Sequence, residues 1–491
     1  MKCMKSFPVN LGDLKKSGYQ SKKLKDELRD NLVEAIKLQK NVFKGIYGFD
    51  DTVIPDLQRA ILSRHNILLL GLRGQAKTKI ARLLVNLLDE YIPVIEGSEM
   101  NDDPLNPISR YAKDLIEELG DKTPLSWLHR DERYVEKLAT PDVTVADLIG
   151  DIDPIKAANM KLNFNDERVI HLGLIPRANR CLFIINELPD LQPRIQVSLF
   201  NILQEGDIQI RGFKLRMHLD VSFVFTANPE DYTNRGSIVT PLKDRIDSQI
   251  LTHYPTEIET AMAITRSEAK LSDEQKNMVV VPELLARLIE EIVFQARENE
   301  MVDSKSGVSA RLSISAYENL VSSAERRALI NGETKTTARI GDLWAIVPSI
   351  TGKIELVYEG EQEGPYNVAL TFINEAVKSI FLELFPNPDA LRKATDKDPY
   401  FALKQWFGSG HNVELLLDES DKSFHEQLDK IQGIDALIKV AGMEDLDKYL
   451  VRELILHGLS EMDIVSKTFL DKQFSFKDDL AGMLDDLTSD N

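Results

Sequence analysis

The chain has 491 residues, 43% of them apolar and 28% charged, which is too long for one hydrophobic core and predicts two or three ordinary folded domains. Its 60 basic against 79 acidic residues give a net charge of -19, which disfavours nucleic acid as a primary partner because an acidic surface repels phosphate backbones. Two cysteines, Cys3 and Cys181, exclude a disulfide framework, and neither a signal-peptide core nor a transmembrane-length apolar run is present, so a cytoplasmic protein with no membrane partner is expected.

Taken in chain order, Leu24, Leu28, Leu32 and Ile36 recur at i+4 and predict an amphipathic helix within 22–45, broken by Gly45 and Gly48. A second helix is expected over 51–64. Asn66–Leu70 is the short apolar run of a buried parallel strand, and helical spacing returns over 77–91. The polar stretch from about 97 to 145 contains a helical segment at 110–119 and is otherwise unassigned. Segments 181–185 and 221–226 read as two more buried strands, with a helix over 192–204 between them and a β-hairpin arm from Gly206. Cys181, inside one of those runs, reads as a small buried hydrophobe. Strands alternating with helices predict a parallel α/β sheet. After Pro255 the pattern is helical only, with Leu284, Leu285, Leu288, Ile289, Ile292 and Val293 marking one face and further helices over 310–330 and 337–354. Gly360, Gly364 and Pro365 predict a boundary, beyond which the chain is mainly helical and ends in an acidic tail of disordered composition.

The strand at 67–70 runs into Gly71-Leu72-Arg73-Gly74-Gln75-Ala76-Lys77-Thr78 and a helix follows, which is the context a phosphate-binding loop requires. Gly71, Gly74, Gln75 and Ala76 would wrap backbone N–H groups around a β-phosphate, Lys77 would neutralise the β- and γ-phosphates, and the hydroxyl of Thr78 would ligate Mg²⁺. Lys79 belongs to the same expected ATP-binding set. Ala76 stands where the general pattern has glycine. That costs roughly 1–2 kcal/mol if the position needs a positive φ and nothing if it does not.

An ATPase also needs a second strand end carrying an acid for the metal and an acid to polarise water. Leu182–Ile185 ends in Asn186 and Glu187. Glu187 is the water-activating candidate. Asn186 stands on the metal side, where an amide oxygen can accept a hydrogen bond but adds no negative charge. Asn228, after the strand at 221–226, is the candidate sensor of the γ-phosphate. Arg245 is the candidate arginine finger, acting on a neighbouring subunit's ATP, with Arg235 a weaker second. Arg311, opening a helix of the C-terminal half, could couple that region to the phosphates. The eight histidines are scattered, with no pair at ligand spacing.

The order of these elements resembles that of the AAA+ ATPases. Gly71–Thr78, with Ala before Lys, and Asn186–Glu205 are similar to MoxR proteins. Asp147-Leu148-Ile149-Gly150, Gly173-Leu174-Ile175 and Ala178-Asn179-Arg180 are similar to magnesium-chelatase motor subunits. The resemblance covers about residues 40–355 and departs at Asn186, where both families carry Asp. It implies a P-loop NTPase three-layer α/β/α core with a parallel sheet at 46–255, preceded by the N-terminal helical segment at 1–45 that the leucine spacing predicts. A helical lid at 256–358 and a mainly helical extension with the acidic tail at 359–491 would follow. Two inserted elements are implied, one within 145–172 and a hairpin near 206–218. It further implies ATP and Mg²⁺ as cofactors, a homo-oligomeric ring, usually a hexamer, and a partner with a von Willebrand A-type domain. The expected function is ATP hydrolysis that remodels or activates another protein; a hydrolysis-impaired ATP-binding scaffold is the alternative that Asn186 raises. A sigma-54 activator is not supported, since no GAFTGA-type loop occurs, and the charge disfavours a helicase.

Overall fold

The computed structural model describes residues 7–153, 155, 159, 169–210, 216–229, 236–391, 398–443 and 446–478. Arg235, the acidic tail beyond 478 and the middle of the 145–172 insert lie outside the described residues. The chain divides into two compact units, Met1–Tyr254 and Pro255–Asn491.

The first unit is built on five parallel strands. The elements that matter for the site are α1 (Leu24–Lys37), α2 (Val53–Leu62), β1 (Ile67–Leu70), α3 (Lys77–Leu83), β2 (Tyr134–Leu138), β3 (Cys181–Asn186), β4 (Val221–Ala227) and β5 (Ser248–Leu251). The sheet order is β5-β1-β4-β3-β2, and every pairing is parallel. Successive side chains of a strand point to opposite faces. One face therefore buries Leu68, Leu70, Phe183, Ile185, Phe223 and Phe225 with Ile175, Ile195 and Leu199 from the helical segments at 174–205. The other buries Leu69, Leu182, Ile184, Val224 and Ile250 with Leu28, Val53, Leu57, Ile80 and Ala81 of α1, α2 and α3. This is a three-layer α/β/α core. The central strands are buried along their whole length and mostly apolar because both of their faces are covered.

Arg133, only 1% exposed, places β2. Its guanidinium donates both Nη1 and Nη2 to the carboxylate of Glu27 on α1 at 2.6 Å, and Nε to the Arg180 carbonyl at 3.0 Å. Cys181 is buried, and burial pushes its thiol up to about 11, as suits an inert packing residue.

Several boundaries shift from the sequence expectation. The first helix stops at Lys37, and the helix expected over 77–91 ends at Leu83, tightens into a 3₁₀ turn over Leu84–Leu87 and gives way to a strand at Tyr91–Ile95. The helix expected over 192–204 is two short ones, Pro193–Ser198 and Phe200–Glu205. Antiparallel pairs form at both inserted elements, Gly150–Ile152 with Ile170–Leu172 and Asp207–Gln209 with Arg216–His218.

The second unit is mainly helical. It contains α4 (Glu283–Glu298), α5 (Arg311–Asn331), α6 (Pro365–Leu384) and α7 (Lys448–Ser460), with a three-stranded antiparallel sheet of β6 (Val413–Leu416), β7 (Val465–Leu470) and β8 (Gln473–Asp478) in the order β6-β8-β7. Leu285, Ile289 and Leu320 share one apolar cluster with Phe372, Phe381, Leu454, Phe474 and Phe476, so elements on both sides of residue 358 build the same core. Among the described residues no helix is long and apolar enough to cross a membrane.

Candidate functional site

The site forms where β1, β4 and β3, three adjacent parallel strands, reach their C-terminal ends. β1 passes into the loop 71–76. The loop turns on two left-handed residues, Gly74 at φ +74° and Ala76 at φ +54°. Ala76 therefore does sit at a position that favours glycine, and its Cβ costs about 1 kcal/mol there. Gly71 is fixed by packing: a Cβ on it would lie 2.1 Å from Thr252 Oγ1 and 2.2 Å from Gln75 Oε1. Gln75 is buried and accepts the Thr252 hydroxyl at 2.7 Å, while the Tyr254 hydroxyl donates to the Arg73 carbonyl at 2.9 Å. The segment after β5 thus clamps the loop from the side.

Lys77 opens α3 and is 7% exposed. Its ammonium donates to the Gly71 carbonyl, to the Leu72 carbonyl at 2.8 Å and to Asn228 Oδ1 at 2.7 Å. Asn228, buried just past β4, in turn donates Nδ2 to Glu187 Oε2 at 2.8 Å. Lys77, Asn228 and Glu187 therefore form one continuous hydrogen-bonded line across three strand ends. Glu187 follows β3 with a left-handed backbone at φ +55°, a conformation that costs a non-glycine residue about 1 kcal/mol and is held here by a hydrogen bond from its N–H to Thr226 Oγ1 at 3.2 Å. The kink takes Glu187 out of the strand's alternation and half-exposes its carboxylate.

Asn186 is buried at the last position of β3. Its Oδ1 accepts the Thr226 hydroxyl at 3.0 Å and its Nδ2 donates to Glu136 Oε1 at 2.5 Å. Glu136 Oε2 receives Arg82 Nη2 at 2.9 Å and the Tyr134 hydroxyl at 3.1 Å. The Glu136 carboxylate raises the pKa of the Arg82 guanidinium, and burial first, then Glu136, raises that of the Tyr134 phenol. Thr78, the second residue of α3, is half-buried. Among the described residues no group of three or more His, Cys, Asp or Glu side chains could hold a metal. A hydroxyl, an amide and one carboxylate are oxygen donors of the kind Mg²⁺ takes when phosphates complete its shell.

The remaining sequence candidates lie apart from this line. Lys79 half-buries against the loop preceding α2 and donates to the Gly45 carbonyl at 2.9 Å. Arg245 donates Nε to Gln204 Oε1 at 3.1 Å and Nη1 to the Pro241 carbonyl at 2.7 Å, and lies 4.8 Å over the Phe200 ring. Those partners hold it beside the helix Phe200–Glu205, outside the Lys77–Asn228–Glu187 line. Arg311 is exposed at the start of α5 in the second unit. Sequence reasoning missed Glu136, Thr226, Thr252 and Tyr254. Thr226 was legible as the second polar residue facing the strand end; the others depend on β2 and β5, two strands without a continuous apolar run.

No family model matches the chain, and no curated protein matches it. Solved structures similar to it include a protein from Cytophaga hutchinsonii described as a candidate ATPase, at 18% identity over 74% of this chain and 97% of that one, with a TM-score of 0.30. The complex between subunits BchI and BchD of magnesium chelatase is similar at 18% identity over 65% and 98%, with a TM-score of 0.34. NtrX from Brucella abortus in complex with ATP is similar at 14% identity over 59% and 52%, with a TM-score of 0.33. The chemistry of the site stands on its own geometry.

Proposed function

We propose that this chain is an AAA+ ATPase akin to the MoxR and magnesium-chelatase motor subunits, and that it binds and hydrolyses ATP to remodel or activate a partner protein. The observation that carries the reading is the line Lys77–Asn228–Glu187, a buried cation joined through an amide to a half-exposed carboxylate at adjacent strand ends. Lys77, which now donates to backbone carbonyls, would exchange them for β- and γ-phosphate oxygens. Gly74 and Ala76 turn the loop, and its backbone N–H groups would wrap the β-phosphate. Thr78 and Asn186 would hold Mg²⁺, which supplies charge neutralisation on the phosphates. Glu187 would polarise the attacking water, and Asn228 would register whether the γ-phosphate is present, because it touches both Lys77 and Glu187.

The finger role of Arg245 and the coupling role of Arg311 belong to the same proposal. Arg245 lies outside its own chain's line, which suits a residue acting on a neighbour's nucleotide in a homo-oligomeric ring such as a hexamer. A protein carrying a von Willebrand A-type domain is the partner class this reading favours. The second reading, an ATP-binding switch that hydrolyses poorly, is favoured by one observation: Asn228 holds the Glu187 carboxylate through Oε2, and Asn186 brings no charge of its own.

Equilibrium titration with Mg·ATP, comparing the wild type with Lys77→Met, tests nucleotide binding. Loss of charged hydrogen bonds worth about 1.5–3 kcal/mol should weaken binding roughly 10- to 100-fold. A wild type that does not bind, or a variant that binds equally well, would overturn the reading.

A further inference from the structure

β2 and β3 pair in parallel with Tyr134 opposite Leu182, Glu136 opposite Ile184 and Leu138 opposite Asn186. Partners in a parallel register share a face, and the face is shared again every second residue. Tyr134, Leu182 and Ile184 pack in the cluster that contains Ile80 and Ala81 of α3. Glu136 and Asn186 therefore stand on the same side of the sheet as the phosphate-loop helix. Arg82, which holds Glu136, lies four residues after Thr78 and so on the same flank of α3. The carboxylate sits between the end of β3 and the helix that presents Thr78.

The identity of Asn186 follows from this placement. Its amide nitrogen donates to Glu136 Oε1 at 2.5 Å. An aspartate there would set two carboxylates against each other at that separation, and like charges so close repel. With asparagine, the contact is a hydrogen bond and the strand end keeps one negative charge, moved one strand over.

We propose that Glu136 is the acid of the metal side of this site, and that Asn186 and Glu136 together do what a single aspartate at 186 would do. The proposal rests on the ATPase reading. Asn186 fixes the carboxylate by one oxygen, Arg82 and Tyr134 fix it by the other, and the charge drawn toward Mg²⁺ is that of Glu136. Arg82, 63% exposed in its side chain, positions Glu136 and takes no part in metal binding.

The test is the affinity of the nucleotide-bound protein for Mn²⁺, read by electron paramagnetic resonance, together with ATP affinity in EDTA. The proteins compared are the wild type, Glu136→Gln, Asn186→Asp, the double variant and Arg82→Gln. Glu136→Gln should keep its ATP affinity in EDTA and lose roughly 10- to 100-fold in Mn²⁺ affinity, as partners of metal ligands do. The double variant, which returns the charge to position 186, should recover most of that loss. Arg82→Gln, which loosens the carboxylate but keeps its charge, should lose clearly less Mn²⁺ affinity than Glu136→Gln, whereas a merely structural role for the Arg82–Glu136 pair would make the two variants behave alike. Wild-type Mn²⁺ affinity in Glu136→Gln, or no recovery in the double variant, overturns the inference while leaving the ATPase reading intact. A wild type that binds no nucleotide overturns both.

Discussion

The strand-end cluster of the first unit and the charge network inside the second bury the same kinds of side chain under different backbone conditions. In the first, Lys77, Asn186 and Asn228 are buried beside a half-exposed Glu187, and two residues of the group, Ala76 and Glu187, hold left-handed backbones. In the second, Arg327 donates to Asp342 at 2.9 Å and to Asp421 at 2.8 Å, Arg339 reaches the same Asp421 at 2.6 Å, and the fully buried Glu453 accepts the N–H groups of Ile340 and Gly341 at 2.7 and 2.9 Å. None of those five has a positive φ. The second network joins α5, α7, the segment Arg339–Asp342 and the helix Asp421–Asp429 that follows β6, and specifies how they pack. The first gathers at the open end of a sheet, with its polar groups aimed at the same space and strain stored in the turns that aim them. Strain combined with convergent polar groups marks a site; convergence without strain marks a packing device.

The largest effect that sharpens this contrast is on stability. Arg327→Met leaves Asp342 buried without its partner and should cost about 3–5 kcal/mol, read as a shift in the denaturation midpoint. Lys77→Met at the strand end should change stability by less than about 1 kcal/mol, since groups held for function are often costly to the fold. Equal losses in the two would break the distinction.

The next effect is on pH dependence. Burial raises Glu453 to about 7, despite its two N–H donors. A carboxyl raised above its unfolded value binds its proton more tightly when folded, so its contribution is fully present below about pH 4.5 and is lost as pH rises through about 7. Stability of the second unit should fall by roughly 3 kcal/mol across that window, and Glu453→Gln should flatten the profile. A wild-type profile that is already flat would contradict it.

The smallest effect concerns strain directly. Ala76→Gly should stabilise the first unit by up to about 1 kcal/mol, because φ +54° suits glycine. Gly332, at φ +68° after α5, is the matched control: a Cβ added there would meet nothing within 4 Å, and Gly332→Ala should cost about the same amount. Opposite signs at these two positions would separate stored strain from space.

The parts of the site legible in the sequence are those in which one local segment carries both the strand and the chemistry. Ile67–Thr78, Leu182–Glu187 and Val221–Asn228 each combine a mostly apolar run with the polar residues that end it. The edge strands were not legible. β2 reads Tyr-Val-Glu-Lys-Leu with no fully buried residue, and in β5 only Ile250 is buried, so neither shows the apolar run of a central strand. Missing them hid Glu136, Thr252 and Tyr254, whose roles come from the neighbouring strand or loop rather than from their own segment. The β6-β8-β7 sheet was likewise hidden among helices, although Phe474 and Phe476 alternate with polar residues in the period of a half-buried strand.

The central claim is that Glu187 performs hydrolysis at a nucleotide bound by Lys77. The most direct test is steady-state ATP turnover with Mg²⁺ by the wild type and Glu187→Gln across a range of protein concentration. The account predicts a wild-type rate per subunit that rises with concentration as rings assemble, and a rate lower by about 10²- to 10⁴-fold in the variant, the usual worth of a positioned general base. Turnover by Glu187→Gln equal to that of the wild type would contradict it.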